Sequence, residues 1–407
     1  MSYHDYVSFL TRNRLKLEAE MIYSFGASNY FSFKEGMEIS FELSAKTPQK
    51  VSKGKRVSTV LGVKGANASG KTNVLKAIEF IADFITSSFE HKEGEGLGFR
   101  NYFDNDKVSD FYVDFEVDSI LYSYELTAKP EMVVREAIYK KLQRKTLLVE
   151  RKLNRIVKRS SDFAAIDMVE LKSNASLIST ILMYKLKDVS TEFSKIAGVF
   201  SNLTGNVTNV GVVPDEHLFT RDSVSKFYND NPEALEFAKR IIIDSDLGIR
   251  DVVIQRRESP SGEEVYFPLF AHQVGDSSES FFLASRDESS GTMALYRRLG
   301  IYYCILKSGG LLVMDEFDQN CHPMLLPQLI DLFQDPSKNT KGAQFIFTAH
   351  NSEIIDCLGK YRTVIVAKDR GESFCYRLDQ IPGDLVRNDR SIAALYREGK
   401  IGGVPRV

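Results

Sequence analysis

The chain has 407 residues, room for two or three structural units at about 150 residues each. Its 43% hydrophobic and 27% charged content excludes wholesale disorder and fibres, and a net charge of −2 excludes a globally cationic nucleic-acid binder, so any DNA contact has to be a local patch. Cys304, Cys321, Cys357 and Cys375 contain no C-x-x-C pair and read as reduced thiols, and no apolar run nears the roughly 20 residues of a membrane span, which leaves the expectation of a soluble, cytoplasmic protein with no membrane contact.

Residues 1–20 read as an N-terminal extension with room for a short helix. Residues 21–43 are rich in aromatic and branched side chains and predict two strands turning at residues 34–36. Asn29 and Tyr30 in that stretch are candidates to approach a base, with plain packing as the alternative.

The chain turns on Gly65-Ala66-Asn67-Ala68-Ser69-Gly70-Lys71-Thr72, which satisfies G-x-x-x-x-G-K-[ST] at every fixed position. A buried strand over 57–63 precedes it, and apolar residues at 74, 75, 78, 81, 82 and 85 predict an amphipathic helix after it. Strand, glycine-rich turn and helix are the setting in which backbone N–H groups and a helix N-terminus cradle phosphates. Lys71 then reaches the β- and γ-phosphates, and the Thr72 hydroxyl ligates Mg²⁺.

Two alternating strands follow over 110–117 and 120–126, turning at Asp118-Ser119. Residues 129–245 carry no nucleotide motif and read as an insert, first basic and then helical, forming a compact helical subdomain. Its first part holds ten basic residues, Arg135, Lys140, Lys141, Arg144, Lys145, Arg151, Lys152, Arg155, Lys158 and Arg159, against Glu136 and Glu150. This is either a solvated face or a phosphate-tracking patch for nucleic acid.

The second half supplies the chemistry that a phosphate loop lacks. Two strands over 248–270 precede Ser289, Ser290 and Gly291, which open a long helix. They serve either as an anion-binding helix start or as simple N-capping. Four apolar residues then lead into Asp315 and Glu316, a buried strand ending in two carboxylates, which calls for a cation. Asp315 is placed near Mg²⁺, and Glu316 near the γ-phosphate, where it polarises an attacking water. A further strand over 344–348 ends at His350, within reach of the γ-phosphate, and a last strand over 363–367 closes the sheet, leaving the tail room for a strand and a helix.

The order of these motifs resembles ABC-type ATPases, in particular the SMC-like and OLD-like branch that includes AAA-labelled ATP-binding proteins of bacterial anti-phage systems. The segments that carry the likeness are SNYFSF (28–33), GANASGKTN (65–73), ESSGT (288–292), DEFDQNCHP (315–323) and YREGKIGGVP (396–405). The likeness covers 21–128 and 246–407. It implies a P-loop NTPase of ABC-ATPase type, α/β, with a mixed central sheet and an antiparallel N-terminal sheet, to which the periodicity of the residues adds a helical insert subdomain. The insert is not covered by it; together with the reading of the residues the units are an extension (1–20), an N-lobe (21–128), the insert (129–245) and a C-lobe (246–407).

Carried over residue by residue, the resemblance implies that Asn29, Gly65, Asn67, Ala68, Ser69, Gly70, Lys71, Thr72 and Asn73 bind nucleotide, and that Thr72 and Asp315 hold Mg²⁺. Glu316 is the implied base, with His350 and Lys71 beside it. Ser289, Ser290, Gly291 and Thr292 are implied to complete a partner's ATP site, and Asp318 to communicate across the dimer. The signature reads Ser-Ser-Gly-Thr in place of Ser-Gly-Gly-Gln, and no glutamine is placed for the loop that links Mg²⁺ to the insert. The function implied is a Mg²⁺-dependent ATPase, a homodimer or higher homo-oligomer closing head-to-head around ATP, acting as a switch with a separately encoded effector such as a nuclease. The alternative is an SMC-like DNA-binding clamp of repair or chromosome maintenance.

Overall fold

The computed structural model describes residues 20–186, 189–208, 211–218, 220–245, 248–275, 279–387 and 390–404. The expected extension lies outside these, Glu20 excepted. Strands β1 (Met21–Ser28), β2 (Met37–Ser40), β4 (Ser109–Val117), β5 (Ile120–Lys129), β6 (Met132–Lys141), β7 (Lys145–Lys152) and β8 (Arg155–Arg159) form an antiparallel sheet in the order β2-β1-β4-β5-β6-β7-β8. The β4–β5 hairpin closes at Asp118 and Ser119, whose φ values of 49° and 62° are those of a two-residue turn matching the strand twist.

A second sheet is formed by β3 (Val60–Lys64), β9 (Leu203–Gly205), β13 (Leu311–Met314), β14 (Gln344–Thr348), β15 (Thr363–Asp369) and β16 (Glu372–Arg377), in the order β16-β15-β3-β14-β13-β9. Every neighbour pair in it is parallel except β15–β16. Its parallel strands are covered on both faces, which explains why they read as continuous apolar runs. Leu61 and Val63 of β3 and Leu311 and Val313 of β13 face one core, while Val60, Leu312 and Met314 face another.

The first core is filled by helix α1 (Lys71–Ser87), wedged against the antiparallel sheet with Phe80 packed on Phe99 and Phe111. The second core holds α4 (Arg221–Asp230), α5 (Pro232–Ser245), the long α6 (Ser290–Ser308) and α7 (Leu326–Gln334). Beside it stands a three-stranded sheet of β10 (Ile249–Glu258), β11 (Glu264–Gln273) and β12 (Ser280–Ala284). A small third core joins α8 (Ile354–Leu358) to the tail helix α9 (Ile392–Arg397).

The helices expected over 129–245 are present but do not form one body. Strands β6–β8 extend the N-terminal sheet, α2 (Leu177–Tyr184) and α3 (Ser190–Ser201) pack into the first core with α1, and β9 joins the central sheet beside β13. A buried ion pair ties β6 and β7 to the start of α2. Arg151 and Glu136, which look like surface charges, are 0% and 1% exposed in their side chains and 2.8 Å apart. Glu136 also accepts the Leu177 N–H at the start of α2, while Arg151 donates to the carbonyls of Lys172 and Ala175. The last expected strand is likewise not at the sheet's edge, since β16 pairs outside it.

Candidate active site

The loop between β3 and α1 turns on two positions that side chains would obstruct or strain. A Cβ on Gly65 would lie 2.2 Å from the Val366 carbonyl oxygen, and Gly70, the residue before α1, has φ of 112°. Asn67 and Ala68 stand exposed at the loop tip, and Ser69 is buried with its hydroxyl unbonded. Lys71 folds back over the loop, its Nζ donating to the carbonyls of Gly65 and Ala66 at 3.0 Å each. Burial pushes its pKa down, against the pull of Asp315, Glu316 and Asp318. Asn73 donates from Nδ2 to Ser32 Oγ at 3.2 Å, tying α1 to the turn after β1.

Two stretches more than 240 positions apart meet at this loop. The Thr72 hydroxyl donates to Asp315 Oδ2 at 2.6 Å, a separation of 243 residues. Asp315, 3% exposed, receives the Thr348 hydroxyl on its other oxygen, and Asn206 grips its backbone at N (2.7 Å) and O (3.0 Å). The Glu316 N–H donates to the same Thr348 hydroxyl at 2.8 Å, and Glu316 sits at φ of 50°. This sharp turn out of β13 brings the Glu316 carboxylate to 3.3 Å from His350 Nε2 at the end of β14. The two side chains remain 45% and 52% exposed, open to a substrate.

Asp318 accepts the backbone N–H of His350 (2.9 Å) and of Asn351 (2.6 Å), so within one chain it holds the histidine loop. Ser289 caps α6, accepting the Thr292 N–H at 3.0 Å, which is the capping alternative. Ser289 and Ser290 face solvent, whereas Thr292 is buried with its hydroxyl 2.8 Å from that of Ser289. A Cβ on Gly291 would lie 3.1 Å from the Asn320 carbonyl, and buried Arg298 donates to the carbonyls of Phe317 and Gln319. The helix behind Ser289 is thereby fixed to the loop that follows Glu316.

Asn29 and Tyr30 have their side-chain partners outside the phosphate loop. The Asn29 carboxamide bonds to Asn105 and to the carbonyls of Lys107 and Val108, and Tyr30 is buried among Phe31, Phe99 and Phe111. In this arrangement both residues do structural work. Of the ten basic residues from 135 to 159, five are engaged in ion pairs: Arg135 with Glu125 and Glu150, Lys140 with Glu192, Lys145 with Glu125, Arg151 with Glu136 and Arg159 with Asp167. Thr348 and Asn206 were not singled out from the sequence. A hydroxyl closing an apolar strand two residues before His350 was the available signal for Thr348; Asn206 offered none.

The residues fit a magnesium nucleotide. The orphaned Ser69 hydroxyl and the glycine-lined cradle suit phosphate oxygens, and Thr72 with Asp315 supplies hard oxygen donors of the kind Mg²⁺ takes alongside phosphates and water. Residues 60–356 match the family model described as "AAA domain, putative AbiEii toxin, Type IV TA system". The chain belongs to that family.

This AAA family member thus has the P-loop ATPase fold that the motif order implied. Two solved structures are similar to it at low identity. One is the SMC head domain from Thermotoga maritima (13% identity, TM-score 0.43, covering 88% of this chain and 98% of that one). The other is the SmcHead bound to the C-winged helix domain of ScpA (14%, 0.46, 87% and 96%). No curated protein matches the AAA family member. Among its described residues, no helix is long and apolar enough to cross a membrane.

Proposed function

We propose that the chain hydrolyses Mg²⁺-ATP and uses it as a cytoplasmic switch, two copies closing head-to-head so that the exposed Ser289 and Ser290 of one complete the site of the other. The observation that carries the hydrolytic reading is the convergence of Thr72, Asp315, Glu316 and His350 at the phosphate loop. Bound Mg²⁺ would be held through Thr72 and Asp315 and would neutralise charge on the phosphates. Lys71 exchanges the two loop carbonyls for phosphate oxygens. Glu316 accepts a proton from the attacking water, and His350, 3.3 Å away, orients that carboxylate and faces the γ-phosphate position.

The family's description as a putative toxin of a type IV toxin–antitoxin system supports a place in bacterial anti-phage defence; a separately encoded effector such as a nuclease rests on the resemblance of the motif order alone. The DNA-clamp alternative is less well supported, because half of the basic residues it would use are already ion-paired.

Glu316→Gln tests the hydrolytic reading. Loss of a general base lowers kcat by about 100-fold or more, with ATP affinity kept within about twofold and an ATP-bound dimer accumulating on size-exclusion chromatography. A variant that turns over ATP like the parent would remove Glu316 as the base.

A further inference from the structure

The last residue of β3 is a lysine, in a strand that otherwise holds Val60, Leu61, Gly62 and Val63. Lys64 is 1% exposed, so its ammonium pays a desolvation penalty that an apolar residue would not. Its Nζ reaches across the end of the sheet and donates to the carbonyls of Ala349 (2.5 Å) and Asn351 (3.1 Å), the two residues that flank His350. Asp318 takes the N–H groups of His350 and Asn351. The loop carrying the imidazole is therefore held at four backbone points by one cation and one anion, while the exposed imidazole itself contacts Glu316.

We propose that Lys64 is a positioning residue for His350, clamping both flanking carbonyls so that the imidazole meets the Glu316 carboxylate at the phosphate loop. The assignment rests on the hydrolytic reading above for its catalytic consequence, and on geometry alone for the positioning itself. It also makes β3 a direct link between the phosphate loop, which begins one residue later at Gly65, and the histidine loop at the end of β14.

Two readouts on Lys64→Met test this. Met is close to lysine in length and removes the donor, and Lys64→Gln, uncharged and one bond too short to hold both carbonyls as the ammonium does, serves with the same expected outcomes if Met fails to fold. In protein labelled with ¹⁵N-histidine, the imidazole signal of His350, one of six histidines, is expected to move or broaden while the other five stay. In steady-state kinetics kcat is expected to fall by about 10- to 100-fold, as for an angstrom-scale misplacement of a catalytic group, with the ATP Kd within about twofold. No further loss is expected when Lys64→Met is added to His350→Ala, because the two residues then act as one unit.

An unmoved His350 signal overturns the proposal, and so do losses in kcat that add in the double variant or a parallel loss of ATP affinity. Failure of the hydrolytic reading would look different: wild type and Glu316→Gln would share the same rate while the His350 signal still responded to Lys64→Met.

Discussion

At the scale of single residues, the site depends on hydroxyl and amide groups that hold charged ones in place. Thr348 is the hub, donating to Asp315 and accepting the Glu316 N–H. Thr348→Val keeps the size of the side chain and removes both bonds, so the half-saturating Mg²⁺ concentration for ATPase activity is expected to rise several-fold, about 1 kcal/mol for a lost hydrogen bond of this kind. Unchanged Mg²⁺ dependence would contradict the role given to Thr348. Lys64 also has a signature in stability. Burial pushes its pKa down to about 8, partly offset by Asp318. Between that value and the ordinary lysine pKa of 10.5 the unfolded chain binds more protons than the folded one. Stability should therefore rise with pH across that window, and the slope should flatten in Lys64→Met when unfolding is followed by denaturant titration. Lys71, Thr72, Asp315 and Glu316 were legible in the sequence because their neighbours in the chain define their chemistry. Thr348, Asn206 and Lys64 were not, since each acts on a stretch of backbone that only tertiary folding brings near.

At the scale of elements, the flanking structures of the phosphate loop, the β4–β5 hairpin, α6 and the strand ending in Asp315 follow from periodicity and turn chemistry. The region 129–245 did not follow, because a buried ion pair inverts the usual reading of charge as surface. Glu136 and Arg151 satisfy each other, the N-terminus of α2 and two carbonyls inside the first core. Removing one partner by Arg151→Met leaves the other charge buried and should cost about 3–5 kcal/mol, measured by chemical denaturation. A loss below 1 kcal/mol would show that the pair does not organise this part of the fold. Residues Leu203, Thr204 and Gly205 carry no strand periodicity of their own, and they form β9 where β13 offers a parallel edge at Leu311, Leu312 and Val313. From there Asn206 fixes Asp315, which gives the region a physical route to the carboxylate proposed to hold Mg²⁺.

At the scale of the whole molecule, the phosphate loop and the Asp315–Glu316 turn lie in one chain, whereas Ser289 and Ser290 sit on an exposed helix start tied to the Phe317–Asn320 side of that turn. In the proposed head-to-head dimer these serines face the ATP of a second copy. Mixing two separately inactive variants, Lys71→Ala and Ser289→Arg, tests this most directly. A mixed dimer contains one site in which an intact phosphate loop faces an intact Ser289, so equal mixing and exchange of subunits is expected to restore about a quarter of wild-type ATPase activity. A mixture that stays as inactive as either variant alone, with exchange of subunits verified, would contradict completion of the site by a neighbouring copy.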